Sequence, residues 1–419
     1  MADIFEKLVK HYGPIGQHAD RSYGYFMFPK LEGEIGNRMQ FRNKEVIVWS
    51  LNNYLGLANH PMVRKIDADA SEEFGLAYPM GARMMSGNTN YHEKLEKELA
   101  TFEEKEDAIL LNYGYQGIMS TIDAICGRHD IVVYDAESHA CIIDGLRLHP
   151  GHRYVYKHND VEDCEKQLQR ATALVEKQGR GGILVITEGV FGMAGDQGKL
   201  KEICALKSKF EFRLLVDDAH GFGTLGERGG GVGEAQGCQA DIDLYFSTFA
   251  KSMASIGAFL AGPKVIIDFI RYNIRSQIFA KSLPMPLVIG NLKRLDMLRT
   301  MPELKNKLWE NAMKLQNGLK EYGFDIGNTD SVVTPIYMKG DVPEATAMVM
   351  DLRENYGIFC SIVVYPVIPK GHIIYRLIPT AAHNDEDIQR TLDAFKITKE
   401  KLDAGAYNVE AIPNMADAR

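Results

Sequence analysis

The chain has 419 residues, 45% of them hydrophobic and 25% charged, with 48 basic against 56 acidic side chains and a net charge of −8. At ~150 residues per domain this is two or three domains of an ordinary globular protein, which excludes a disordered chain, a fibrous repeat and a disulfide-stapled miniprotein. The charge gives no footprint for a nucleic-acid or anionic-membrane partner, although a local basic patch is compatible with it.

The N-terminal stretch MADIFEKLVKHYGPIG has mixed charge and no apolar core, so it does not read as a signal peptide. Residues 1–50 read as an arm leading into a first strand. From 51 to 290, short β-branched runs alternate with helical stretches. The runs are DAILLN (107–112), DIVVYD (130–135), YVYKHN (154–159), GILVITEG (182–189), FRLLVDDA (212–219), IDLYFSTF (242–249) and GAFLAG (257–262). Continuous apolar runs suit strands covered on both faces, and ACIIDGLRLH and EDCEKQLQRATALVEKQ have the spacing of crossover helices. The expectation is an α/β large domain with a mostly parallel, seven-stranded sheet.

After Pro286 the texture changes, and residues 291–419 read as a smaller α+β domain. It starts with a long amphipathic helix interrupted near Pro302. Then come a strand in VVTPIYMKG, a helix over PEATAMVMDLRENYG, β-rich runs in CSIVVYPVIP and HIIYRLIP, and a last helix over DEDIQRTLDAFKITKEKL. The final 15 or so residues read as frayed. The longest apolar runs fall far short of the ~18–20 residues of a membrane span. Cys126, Cys141, Cys164, Cys204, Cys238 and Cys360 are far apart with no CxxC or Cys/His metal spacing. Reduced thiols in a cytoplasmic protein follow.

In parallel α/β sheets, sites form at the carboxyl ends of strands, and three segments there carry chemistry. In STFAKS, Lys251 lies just beyond an apolar run, where it is either a snorkelling surface residue or an amine desolvated enough to be a nucleophile. In LLVDDAHG, Asp217 ends a run and His220 follows three residues on. They read as a helix cap and a loop histidine, as part of a metal site that lacks a partner cluster, or as a buried carboxylate facing a pyridine nitrogen. In LNYGYQGIMSTIDAI, Gly114 and Tyr115 open an apolar helix whose N-terminus either makes a tight turn or takes a phosphate. His139, in YDAESHACIIDG, follows the next strand, where it is a satisfied polar residue or a ring laid against a flat cofactor. GERGGGVGEAQG opens no βαβ unit near the start and does not read as a dinucleotide fingerprint.

The order of these segments, with LNNYLGLANHP, GARMMSGNTNYHEKLEKELA, TEGVFGMAGD and the arginine of YRLIPTAAH, resembles the α-oxoamine synthases, which are pyridoxal phosphate enzymes of fold type I. The resemblance covers nearly the whole chain. It implies Lys251 as the Schiff-base lysine and α-proton base, Asp217 at the pyridinium nitrogen, His220 at the ring hydroxyl and His139 stacked on the ring. Thr248 and the backbone of Gly114 and Tyr115 would hold the phosphate, and Asn52 and Arg376 the substrate carboxylate. It also implies a homodimer with interfacial active sites, and no metal.

Two positions depart from the family pattern. Phe191-Gly192-Met193 lacks the serine of the usual FSM, and Phe279-Ala280-Lys281-Ser282 replaces an FST-type segment. A missing hydroxyl and the added charge of Lys281 suit a bulkier, more anionic amino acid; neutral drift is the plain alternative. YPMGARMMSG and CSIVVYPVIPKG look most like a subgroup near serine palmitoyltransferase that includes the cysteate acyltransferases of sulfonolipid synthesis. The expected reaction is a decarboxylative condensation of an amino acid, cysteate before serine before glycine, with a long-chain acyl thioester of coenzyme A or acyl carrier protein. A fold-type I aminotransferase and a paralogue without turnover are the other readings.

Overall fold

A computed structural model describes residues 3–9 and 13–417. The chain divides into two compact units: a larger one, Asn52–Gly192 with Asp196–Asn306, and a smaller one, Met1–Leu51 and Lys307–Arg419 with Met193–Gly195.

The larger unit is built on a seven-stranded sheet whose strands are β1 (Asp107–Leu111), β2 (Ile131–Asp135), β3 (His152–Tyr156), β4 (Ile183–Glu188), β5 (Arg213–Asp217), β6 (Leu244–Thr248) and β7 (Ala258–Gly262). Their spatial order is β1-β7-β6-β5-β4-β2-β3. Only β7 runs against its neighbours; β2 to β6 are mutually parallel where they pair. The continuous apolar runs have the reason expected of them: Val132, Val133, Leu214, Leu215 and Val216 are wholly buried, so both faces are covered. The registers align the strand ends. Glu188 pairs with Asp217 across β4 and β5, and Asp217 with Phe246 across β5 and β6. The polar residues that end these strands therefore gather at one edge of the sheet.

Helices connect the strands with ordinary caps. Asp160 caps Val161–Gln178 by accepting from Asp163 N–H, and Gly179, in the left-handed region, ends it. The amphipathic stretch after Pro286 forms two helices, Met285–Thr300 and Pro302–Glu321, because Pro302 breaks one and opens the next.

In the smaller unit, Leu31–Glu32, Arg38–Phe41 and Lys44–Val48 form a sheet with Ile358–Phe359, and Thr334–Tyr337, Ile374–Leu377 and Ser361–Val363 form another. The stretch 1–50, expected as an arm, thus supplies three strands. Trp49, Leu315, Leu352, Tyr375 and Phe395 lie in its core. Helix Asp385–Asp403 begins with a capping box of Asn384 and Asp387. The tail, expected to fray, is tied down: Met415 N donates to Arg21 O (3.0 Å) and Asp417 N to Tyr23 O (2.8 Å). Among the described residues no helix is long and apolar enough to cross a membrane, and no group of three or more His, Cys, Asp and Glu side chains is placed to hold a metal ion.

Candidate active site

The first element of the site is a helix start. Gly114 begins helix Gly114–Ile125, and Tyr113 before it provides no side-chain cap. The opening N–H groups therefore keep their capacity to bind an anion, with the helix dipole behind them. A β-carbon on Gly114 would lie 3.2 Å from Thr248 Cβ and 3.3 Å from its Oγ1, so the glycine leaves room beside that hydroxyl. Thr248 Oγ1 donates to Gly257 O (3.0 Å) and accepts from Ala250 N (3.2 Å). The GYQG stretch is the helix's own first turn rather than a separate loop. At Gly117 a β-carbon would strike Leu111 at 2.8 Å and Phe246 at 3.0 Å, which is why the helix packs this close to the sheet.

The second element is a cluster of charges at the ends of β4, β5 and β6. Asp217 is buried, accepts from Ala219 N at 3.2 Å, and has the Cys141 thiol 3.8 Å from its Oδ2. Burial raises its carboxyl above the usual range, while the Lys251 ammonium and the His139 imidazole pull it back. Lys251, half-buried three residues beyond β6, acts on Asp217, His139 and Glu188 together. His139 caps helix Ala140–Leu148 by accepting from Cys141 N (3.3 Å), with the Cys141 Sγ 2.9 Å from the same Nδ1. Desolvation and Lys251 hold this imidazole low against the pull of Asp217. The Tyr115 ring stands edge-on to it, 6.1 Å between centroids, and the Tyr115 hydroxyl meets the Asp144 carboxylate.

The third element is His220, buried, with Nδ1 2.7 Å from the Tyr54 hydroxyl. A β-carbon on Gly192 would fall 2.1 Å from its Nε2, so the glycine leaves the space that the ring occupies.

The structure thus brings Gly114 beside Thr248, and Asp217 into one charge cluster with His139 and Lys251. Asn52 is half-buried two residues before Tyr54. Lys281 is exposed, and its carbonyl accepts at 2.6 Å from Nδ2 of Asn112, two residues before the start of helix Gly114–Ile125. Arg376 lies in the smaller unit, buried on the middle strand of its three-stranded sheet. Sequence reasoning passed over Glu188, Cys141 and Tyr54. Glu188 ends β4, and its Oε1 accepts from His139 N at 2.5 Å. Burial and the neighbouring charge of Asp217 hold its carboxyl well above the usual range. The signal was present in TEGVFGMAGD and LNNYLGLANHP, but a carboxylate or phenol inside a motif has no distinguishing spacing.

Taken together, the site pairs an uncapped helix N-terminus and a hydroxyl with a buried carboxylate and an amine. That donor set fits a phosphorylated, cationic ring bearing an aldehyde.

The chain matches a family model described as aminotransferase class I and II over residues 44–395. It is 63% identical, over 100% of both chains, to a protein of Capnocytophaga ochracea named cysteate-C-fatty acyltransferase. It is 35% identical to a serine palmitoyltransferase of Bacteriovorax stolpii over 90% of this chain and 88% of the relative. The solved serine palmitoyltransferase of S. paucimobilis with PLP and myriocin bound aligns with a TM-score of 0.89 at 30% identity, covering 96% of this chain and 100% of that one. The chain belongs to the aminotransferase class I and II family and, within it, to the α-oxoamine synthases.

Proposed function

We propose that this protein uses pyridoxal phosphate to condense an amino acid with a long-chain acyl thioester, releasing carbon dioxide and a thiol and leaving an aminoketone. Cysteate is the first choice of amino acid, serine the second and glycine the third. The observation that carries this reading is the full-length likeness to the Capnocytophaga acyltransferase. When bound, the cofactor supplies an electron sink for negative charge at the α-carbon.

The chain's own residues supply the rest. The N–H groups of Gly114 and Tyr115 would hold the phosphate at the helix N-terminus, joined by the hydroxyl of Thr248 once its proton turns from Gly257 O. Asp217, buried and so strongly coupled to any nearby positive charge, keeps a proton on the pyridine nitrogen. His139 covers the ring, and His220, oriented by Tyr54, meets its hydroxyl. Lys251 Nζ would hold the cofactor at rest and would serve as the base for the substrate's α-proton. Asn52 and Arg376 hold the substrate carboxylate, and Lys281 offers an exposed positive charge for an anionic side chain. The larger unit, Asn52–Gly192 with Asp196–Asn306, acts as the cofactor-binding unit, and Arg376 belongs to the smaller one.

The protein works as a homodimer in the cytoplasm. In support, Leu76, Met80, Met85 and Phe279 expose apolar side chains from the larger unit, three quarters or so of each being accessible. All six cysteines are free thiols. Either coenzyme A or acyl carrier protein brings the acyl group.

The test titrates the purified protein with glycine, serine and cysteate while visible absorbance is followed, then supplies acyl-coenzyme A or acyl carrier protein. Cysteate should perturb the spectrum at the lowest concentration, and one carrier should then release its thiol. A response to serine or glycine alone removes the cysteate assignment. Borohydride reduction should tag the peptide that contains Lys251, and Lys251→Ala should abolish turnover. Substantial activity in that variant would remove the lysine from its role.

A further inference from the structure

His158, two residues past the end of β3, sits between two carboxylates. Its Nδ1 is 2.9 Å from Asp135 Oδ1, and its Nε2 is 3.0 Å from Asp196 Oδ2. A neutral imidazole has one N–H and one bare lone pair, so only the doubly protonated ring can donate to both acceptors. Asp135 is the fully buried last residue of β2, and it also accepts from the backbone of Glu137 (2.8 Å) and Asn159 (2.9 Å). Asp196 belongs to the loop that follows β4. That loop is closed at its base by Gly198 N to Gly189 O (2.7 Å) and at its tip by Phe191 N to Asp196 O (2.9 Å). The His158 ring also stands perpendicular to the Phe191 ring, with centroids 4.5 Å apart. The residue after Phe191 is Gly192, whose backbone adjoins the His220 imidazole.

We propose that His158 is a positioning residue for the reaction: a cationic clamp that ties the loop bearing Phe191 and Gly192 to the end of β2 and thereby sets where His220 stands. The charged groups facing the ring are Asp135 and Glu137 from the end of β2 and Asp196 from the loop, with Glu137 at 3.9 Å. Burial alone would lower the imidazole, but its two hydrogen-bonded carboxylates outweigh this and raise it to about 10. The clamp is therefore closed throughout the physiological range. The inference rests on the proposed function only in treating His220 as part of the cofactor site.

The variant His158→Gln tests it, because a glutamine has no charge and presents an acceptor oxygen in place of one of the two ring N–H groups. In the cofactor-loaded protein, titration with whichever amino acid perturbs the unmodified spectrum should need about tenfold more ligand for half-saturation, the scale of one lost charge-assisted bond. Cofactor occupancy should persist and the borohydride tag should stay on Lys251. Those two readouts fail only if the cofactor assignment itself is wrong. In cofactor-free protein, the thermal midpoint of the unmodified chain should exceed that of the variant most near pH 6. The gap should close as the pH rises towards 10, where the folded state gives up the proton.

Should His158→Gln not fold, Asp196→Asn keeps a neutral hydrogen bond to the ring while weakening the tie to the loop. It should shift half-saturation in the same direction by about threefold. A lower thermal midpoint with unchanged half-saturation would make His158 a merely structural residue and overturn the proposal. So would a stability gap that does not move with pH.

Discussion

The substitution Gly192→Ala isolates one methyl group against one imidazole. The added carbon would lie 2.1 Å from His220 Nε2, 2.6 Å from Cδ2 and 2.8 Å from Cε1, where ordinary contact begins at 3.4 Å. The ring must withdraw by about 1.3 Å, and a withdrawal directed away from Tyr54 would take their 2.7 Å bond to about 4.0 Å, beyond hydrogen-bonding range. Losing that buried bond costs about 1 kcal/mol, and the overpacking at least ~1 kcal/mol more. The expected loss is therefore about 2 kcal/mol in the cofactor-free protein, measured by urea unfolding. A double-mutant cycle with Tyr54→Phe separates the two contributions. In the native background Tyr54→Phe should cost about 1 kcal/mol, and in the Gly192→Ala background almost nothing. Full additivity, with Gly192→Ala within ~0.3 kcal/mol of the parent, would mean that the ring does not lean on Gly192, and the reasoning fails.

Two further outcomes follow from buried titratable groups. Burial and the charge of Asp217 raise the Glu188 carboxyl well above the usual range, which favours its neutral form, and its oxygen accepts from the His139 backbone. Glu188→Gln, a neutral isostere that keeps the acceptor, should leave cofactor affinity within about twofold, whereas Glu188→Ala should weaken it about tenfold; equal losses in a spectral titration would contradict a neutral acid. In the smaller unit, His383 stacks on Trp49 with centroids 3.9 Å apart, and burial lowers its imidazole to about 4. The unfolded chain binds that proton first, so stability should fall as the pH drops from about 6.5 to about 4, by ~3 kcal/mol in all. Trp49 fluorescence in a Trp309→Phe background reports the unfolding, and His383→Asn should flatten the slope. An unchanged slope would assign the acid sensitivity to other groups.

Apart from the largely exposed edge strand β3, the strands of the large sheet were legible because they are covered on both faces, which writes an unbroken apolar run into the chain at Ile131–Val133 and Leu214–Val216. Lys251, Asp217, His139 and Gly114 were legible because each stands at or just past such a run, and a parallel sheet carries its strand ends to one edge. The short pieces at Leu31–Glu32 and Arg38–Phe41 and the tail near Met415 were not legible as ordered structure. They are held by backbone partners elsewhere in the chain, and backbone pairing leaves no side-chain period to read.

What the sequence determined by itself was the residue types and their order along the strand ends, and with them the kind of chemistry. Tertiary structure alone decided that Glu188 lies against the His139 backbone, that Tyr54 orients His220, and that a β-carbon at Gly192 has no room. Each of these is a meeting of residues 28 to 166 positions apart (the shortest being Gly192 with His220). Composition and periodicity describe neighbours along the chain. Protonation state and ring position depend on neighbours in space, and burial is what makes those neighbours count.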